Sequence, residues 1–389
     1  MRIGLVTGTS LQTPGGVTTS FLRLAQALMA RGCEVDLVFL DYECKTPFVC
    51  DGPNGICLEG QIGGLQVYYV RPFSTGHEIR ANASVDMQIA LEGLARSRAY
   101  DVLHCFYVSK TGFMTVYAAR EVGCGSVVSV RGNDIHQQIW DPARFGHILW
   151  ALQHASCVTA VSTEAARRAG TISGRAAGVR VVLNSVDPGE FDGGIGEQRW
   201  GSPVFGTAGV LKSKKGVEFL LNAFVRLRDV LPNSTFLVVG DIIERERQEF
   251  ASLVDRYELG RNLHVTGMVA HREMLRYMRC MDVFLHASLY DGCPNVVLEA
   301  FVAGVPVVAT PAGAVPELID DGINGILVET PIAMSEAAFA LVRDGSGGIV
   351  AAAQRRAATQ FLPSREADQF AEIYRSVIRR QTTAPRQCD

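Results

Sequence analysis

The chain has 389 residues, 48% apolar and 20% charged, with a net charge of −3 and a sequence pI of about 6.3. That length exceeds one ordinary hydrophobic core, and the composition is that of a folded globular protein rather than a disordered or fibrous one. The charge balance gives no reason to expect a nucleic-acid partner, and no apolar run reaches the ~18 to 20 residues of a membrane-spanning helix, so any membrane contact is expected to be peripheral.

The ten cysteines are scattered, and the closest trio, Cys44, Cys50 and Cys57, lacks the C-x-x-C spacing of a zinc or redox pair. With a strand pattern directly at the start and no leader peptide, the expected location is the cytoplasm, with peripheral contact at the inner membrane face left open.

"MRIGLVTGTS" opens on a buried-strand pattern and runs through the loop "TSLQTPGG" into "VTTSFLRLAQALMARG". In that stretch Phe21, Leu22, Leu24, Ala25, Leu28 and Met29 recur at helical spacing, and Gly32 supplies a stop. "CEVDLVFL" follows as a second strand, so the start is a βαβ unit with parallel pairing. Residues 41–64 read as an elaborated loop or hairpin. "DVLHCF", "SVVSV", "CVTAV" and "VRVVL" then read as strands separated by helical patterns such as "TGFMTVYAAREVG".

From 184 to 203 the composition shifts to Gly, Pro and Asp, the best candidate for an interdomain linker. Beyond it "VFGTAGV", "TFLVVG", "LHVTG", "DVFLH", "VPVVAT" and "GILV" restart the alternation, with helices at about 217–231, 245–258, 271–280, 296–303 and 332–343. The only low-complexity patch is Gly/Ala-rich, at 345–353. Residues 363–381 form a separate amphipathic helix. The expectation is an α/β protein of two doubly wound parallel-sheet domains, 1–190 and 191–362, with the last helix packed back on the first. A ligand is expected in a central cleft facing the strand C-termini.

Two Rossmann-like units suggest a dinucleotide dehydrogenase, but that enzyme needs G-x-G-x-x-G between first strand and helix, and none occurs here. After strand one the sequence offers "TPGGV". Gly15 and Gly16 can present bare backbone amides to a phosphate or a sugar, and read equally well as a flexible βα loop.

"GVLKSKKGVEFLLNAF" is more specific: Lys212, Lys214 and Lys215 crowd a helix start, the end whose dipole favours acids. An anion among them removes the conflict, since two unit charges ~4 Å apart interact by ~4 kcal/mol at an effective dielectric of 20 before desolvation. Lys212 and Lys214 read as solvated; Lys215, beside Gly216, reads as functional.

In "DVFLHASLYDGCPNVVLEAFVAGVPVVAT", Asp291 precedes a Gly292-Cys293-Pro294 turn and Glu299 lies one turn into an otherwise apolar helix. A carboxylate there is costly to bury without donors, and two ribose hydroxyls would serve. The helix's leading amides, at Asn295 and Val296, suit phosphate oxygens. Of the histidines, His104 reads as a packed polar residue, His286 as a cleft residue and His271 as a helix cap.

Asp291-x7-Glu299 followed by "AFVAGVPVVAT" and "PAGAVPELIDDGINGILV" resembles the E-x7-E signature of retaining glycosyltransferases of the GT4 family and GT-B fold. "PGGV", "AYDVLHCF", "VSVRGNDI", "VTAVS", "VVLNSVD", "AGVLKSKKG" and "MVAHREMLRYM" extend the likeness over nearly the whole chain.

The resemblance implies a hexosyltransferase of polysaccharide-type biosynthesis with a nucleoside-diphosphate sugar, UDP- or GDP-type, bound mainly by the C-terminal domain. Glu299 would hold the ribose, Asp291 would face the donor sugar and Lys215 would neutralise the diphosphate. Gly15 and Gly16 would face the transferred sugar, while Gly209, Lys212, Gly292, Cys293, Pro294, Asn295 and Val296 would complete the donor pocket. A glycan or lipid-linked acceptor would enter along the N-terminal domain, with Asp134 on its side.

Three positions depart from the family pattern: Asp291 stands for Glu, Val210 for the Arg of Gly-Arg-Leu, and Arg131 for a His that contacts the donor sugar. Lys212 or Arg131 is left to compensate. Arg131 can clamp a phosphate or acidic acceptor, or pair structurally with Asp134. No D-x-D occurs, which fits lysine rather than a divalent metal at the diphosphate; no cofactor is expected. A GT-B-fold sugar-nucleotide epimerase and a non-catalytic partner subunit are the competing readings.

Overall fold

The computed structural model describes residues 1–9, 15–41, 56–62, 64–72, 79–175, 178–191 and 201–383. Most of the elaborated loop expected at 41–64, with Cys44 and Cys50, lies outside the described residues, as do the loop at 10–14 and 192–200 of the linker. The chain divides into two units, Met1–Leu183 with Pro363–Asp389, and Asn184–Leu362.

In the N-terminal unit the strands are β1 (Arg2–Thr7), β2 (Glu34–Leu40), β3 (Ile56–Ile62), β4 (Leu65–Val70), β5 (Val102–Phe106), β6 (Gly125–Val130), β7 (Cys157–Ala160) and β8 (Arg180–Val181). Their order is β3-β4-β2-β1-β5-β6-β7-β8. Among the described strands only β3 runs antiparallel, as a hairpin with β4. Helices α1 (Gly16–Ala30), α2 (Ile79–Arg98), α3 (Lys110–Val122), α4 (Asn133–His136), α5 (Pro142–His154) and α6 (Thr163–Ser173) link the parallel strands. The central strands are apolar along their length, since both faces are covered: every residue of β5 and β6 is buried.

The C-terminal unit repeats the plan with β9 (Val204–Ala208), β10 (Thr235–Val239), β11 (Leu263–Val265), β12 (Val283–His286), β13 (Val307–Ala309) and β14 (Ile326–Leu327), ordered β11-β10-β9-β12-β13-β14 and parallel throughout. Between them run α7 (Val217–Val230), α8 (Arg247–Arg256), α9 (His271–Met278), α10 (Asn295–Ala303), α11 (Val315–Leu318), α12 (Pro331–Asp344) and α13 (Gly347–Gln360). From Gly347 on, the Gly/Ala-rich patch falls within α13, because its alanines outweigh the two leading glycines in helix propensity; Gly345 and Ser346 precede the helix.

The last helix, α14 (Pro363–Thr383), joins the N-terminal unit. Phe370, Ile373, Tyr374 and Val377 enter the cluster of Ile3, Leu5, Phe21 and Leu24. Each such buried side chain contributes roughly 1.5–3 kcal/mol. The Tyr374 hydroxyl also meets His104 Nδ1 at 2.7 Å, and His104 Nε2 meets Ser129 Oγ at 2.7 Å. His104 is therefore a satisfied core histidine, held neutral by burial with its pKa down to about 3.

Candidate active site

In an open doubly wound sheet, connections leave the central pair of strands in opposite directions, and a crevice opens at their C-terminal ends. In the C-terminal unit that pair is β9 and β12. The loop after β9 carries Gly209, the exposed Val210, and Lys212 to Lys215, the last three residues of which form a 3-10 turn ending at Gly216. Gly216 has φ of 67° and a Cβ there would run into the Ala287 carbonyl, so only glycine lets this loop lie on the loop after β12.

The close approach brings Lys215 Nζ within 2.5 Å of Asp291 Oδ2. Ser288 Oγ donates to the same oxygen at 3.3 Å and the Gly292 amide to Oδ1 at 2.9 Å. His286 Nε2 lies 3.9 Å from Oδ2. Burial pushes the Asp291 carboxyl up, but the Lys215 ammonium, backed by His286 and Lys214, prevails and holds it well below the usual carboxylate range. His286 is itself driven down to about 3, by burial first and then by the charge of Lys215. Lys214 turns to the Tyr290 ring, 5.1 Å from its centroid, and its pKa is lowered by burial.

Beyond Asp291 the chain turns through Gly292, Cys293 and Pro294 into α10. The turn is braced from two sides. Asn184 Nδ2 donates to the Cys293 carbonyl at 2.8 Å and to Asn295 Oδ1 at 2.7 Å, and the Ala314 amide donates to the Gly292 carbonyl at 2.8 Å. Among the described residues no side chain caps the start of α10, and the positive end of that helix lies at Asn295 and Val296.

Glu299, one turn further, is 3% exposed. Its Oε1 meets His271 Nε2 at 3.0 Å, and His271 Nδ1 lies 3.9 Å from Glu190. The donor that this buried carboxylate requires is thus a protein side chain as well as any ligand, and burial alone no longer calls for a ribose. Oε2 makes no hydrogen bond among the described residues.

In the N-terminal unit, Gly15 and Gly16 begin α1, with Gly15 in extended backbone. Arg131 is buried, its guanidinium 4.4 Å from the centroid of the Phe106 ring. The Asp134 carboxylate is fully buried and accepts from the amides of Val108, Arg131, Gly132 and Ile135 at 2.9–3.2 Å. Burial raises its pKa against the pull of those amides. Its observed work is to fold the 131–135 loop.

Residues 202–344 match the family profile described as "Glycosyl transferases group 1", and residues 15–185 match "Glycosyl transferase 4-like domain". The chain belongs to the group 1 glycosyltransferases. Among relatives of this glycosyltransferase, an uncharacterised glycosyltransferase of Methanocaldococcus jannaschii is 24% identical over 81% of each chain. The 2-deoxystreptamine glucosyltransferase of Streptomyces kanamyceticus is 28% identical over 65% of this chain and 68% of its own. Among solved structures, HepE of Anabaena, crystallised with UDP and glucose, superposes with a TM-score of 0.75 at 20% identity, covering 97% of this chain and 100% of its own. Sucrose-phosphate synthase of Thermosynechococcus elongatus gives 0.76 at 17%, covering 97% and 99%. These likenesses establish the GT-B fold.

Of the site residues named from the sequence of this glycosyltransferase, the structure joins Lys215, Asp291 and Gly292 directly, with Cys293, Pro294, Asn295 and Val296 continuing from them. Lys212 and Gly209 share the loop that carries Lys215. Two participants were missed. His271 was expected only to cap α9, yet it pairs with Glu299, and nothing in a 28-residue separation signals that. Asn184 lies in the "VVLNSVD" stretch, noted for its likeness and not for its amide. Among the described residues no cluster of three or more His, Cys, Asp or Glu is placed to hold a metal ion, and no helix is long and apolar enough to cross a membrane.

Proposed function

We propose that this glycosyltransferase moves a hexosyl group from a UDP- or GDP-type sugar to a hydroxyl of a glycan, polysaccharide or lipid-linked acceptor, with retained configuration and without a divalent metal. The observation that carries the proposal is the Lys215–Asp291 pair at the head of an uncapped helix, at the switch point of its sheet.

A diphosphate set against α10 would meet its leading amides and share the Lys215 ammonium with Asp291. These fixed charges act where negative charge develops on the leaving phosphate, the arrangement that most lowers a transfer barrier. In the step itself the acceptor oxygen bonds to the anomeric carbon as the bond to the phosphate oxygen breaks, and the acceptor proton passes to that phosphate. Glu299 Oε2 would accept from the ribose while His271 fixes the carboxylate. Support for the donor class comes from HepE, crystallised with UDP-glucose. For a lipid-linked acceptor it comes from the likeness to alpha-monoglucosyldiacylglycerol synthase of Acholeplasma laidlawii, 28% identical over 30% of this chain.

The test is a thermal-shift series with UDP, GDP and ADP, since a ligand of the native state raises the melting temperature by mass action. One of the first two is expected to stabilise the wild type and to lose most of that effect in Lys215→Ala. No shift with any nucleotide refutes the donor site. Turnover surviving excess EDTA, with the anomeric coupling of the product matching that of the donor, would support the remaining two claims; loss of rate or inversion would overturn them.

A further inference from the structure

His286 is the last residue of β12, and its ring lies beside the Lys215–Asp291 pair. The residue is 3% exposed, and Nε2 is buried with no hydrogen-bond partner among the described residues. Buried polar atoms are nearly always satisfied, so an orphaned one calls for a partner that arrives later. An acceptor is at hand. Asp291 Oδ2 lies 3.9 Å away, too far for a hydrogen bond, yet a movement of about 1 Å would make one.

Lys215 is the group that holds this oxygen. Its ammonium sits on Oδ2 at 2.5 Å together with Ser288 Oγ at 3.3 Å, while Oδ1 takes the Gly292 amide at 2.9 Å. The charges acting on the ring are those of Lys215, on the loop after β9, and of Asp291, on its own loop. From β13 comes the uncharged Thr310 amide, which donates to the His286 carbonyl at 2.9 Å. Burial first, and then the charge of Lys215, keeps the ring neutral, while Asp291 pulls the other way. Once the ammonium moves to a phosphate, Asp291 is left with one hydroxyl and one amide, neither of which neutralises it. An imidazole at this distance can supply the missing charge, because it titrates near neutral pH as soon as the opposing cation withdraws.

We infer that His286 is a positioning residue of the donor site: as Lys215 turns to the donor diphosphate, His286 takes a proton from solvent and replaces it as the partner of Asp291, so that donor binding is coupled to proton uptake. The exchange keeps the carboxylate in place while the ammonium moves, and the added proton offsets part of the negative charge that the diphosphate brings. The inference rests on the reading of Lys215 as the group that meets the diphosphate.

The experiment is a calorimetric titration of the full chain with UDP-glucose and with GDP-mannose, in buffers of different ionisation enthalpy, between about pH 6 and 8, the range in which a histidine titrates. Both probes are diphosphate diesters with no group that titrates near neutrality, so a buffer-dependent heat counts protons taken up by the protein. A histidine returned to its ordinary 6.5 takes up about half a proton at pH 6.5, and by linkage the donor binds about fourfold tighter at pH 6 than at pH 8. His286→Gln should still bind the donor, with the uptake and the pH dependence gone; its subtraction from wild type removes any share of His271, which pairs with Glu299. In Lys215→Ala without donor, NMR of the labelled His286 ring should show it titrating near its ordinary value. Binding without proton uptake in wild type overturns the inference whether or not the variants fold, as does equal uptake in His286→Gln or an unchanged ring titration in Lys215→Ala. All three results leave the donor site standing. If neither probe binds, the donor reading itself fails and takes this inference with it.

Discussion

Asp134 and Asp291 are carboxylates just beyond a sheet strand, the first fully buried and the second half-buried, and they are satisfied in opposite ways. Four main-chain amides surround Asp134. Asp291 shares one oxygen with an ammonium and a serine hydroxyl. Amides fixed in a loop have no alternative partner, so the first carboxylate is architecture. An ammonium on a flexible stem can turn from a carboxylate to a phosphate, so the second is a site held ready by a replaceable contact.

The largest effect should come from breaking the architectural member. Asp134→Ala strands four amides whose loss costs ~1–3 kcal/mol each before water relieves any of them. Urea denaturation should show the N-terminal unit unfolded or several kcal/mol weaker, on the order of that sum. A loss below about 1 kcal/mol would mean that the amides find other acceptors and that Asp134 is as replaceable a partner as Asp291.

Next in size is the exchangeable member. Lys215→Ala is expected to lower kcat by ~10²–10³, the scale of removing one charge-stabilising donor. It also leaves the half-buried Asp291 without its counter-ion, a stability loss of about 1–3 kcal/mol, below that of a fully buried pair because both side chains retain some exposure. Asp291→Asn in the same chain should recover most of the stability and none of the rate. Recovery of both would make the pair structural, like Asp134.

Glu299 lies between the two cases, pinned by one side chain with one oxygen left over. Wild-type protein should prefer UDP to 2′-deoxy-UDP by about tenfold, the worth of a hydrogen bond to a charged group, and Glu299→Ala should abolish the preference. His271→Ala should weaken both nucleotides together, because it removes the orientation of the carboxylate and not the carboxylate. Unchanged discrimination in Glu299→Ala would place the ribose elsewhere.

The alternation of apolar runs and amphipathic stretches made two doubly wound sheets legible, because strands buried on both faces and helices buried on one have different periods. The loop with Lys215 and the helix with Glu299 stood out in the sequence for a related reason: a lysine at a helix start and a carboxylate in an apolar helix each conflict with local preference, and such conflicts collect at sites. Contacts between distant segments left no such trace. His271 with Glu299 and Asn184 with Cys293 arise from how the strands are ordered. The Asp134 cage uses main-chain amides, which every residue but proline has, so no side-chain pattern could announce it.

The smallest effect tests the same contrast in two histidines. His104 has both ring nitrogens hydrogen-bonded, whereas His286 Nε2 is buried without a hydrogen-bond partner beside Lys215. Both are held neutral, with pKa values down to about 3 from an ordinary 6.5. Below pH 6.5 the unfolded chain takes up protons that the native chain refuses, so stability falls as pH drops from 6.5 towards 3 and the loss ends once both states are charged. The depressed Asp291 carboxyl acts further down: its contribution is present above its ordinary 3.8 and is lost as pH falls through its lower native value. His286→Phe should therefore flatten the fall between pH 6.5 and 4 at little cost at neutral pH, whereas His104→Phe should flatten it only by stranding the hydroxyls of Tyr374 and Ser129, with a stability loss at every pH. Equal neutral-pH losses in the two variants would show that the unpartnered nitrogen of His286 supports the fold as firmly as the bonded pair of His104, and that the Lys215 site is as rigidly built as the sheet beneath it.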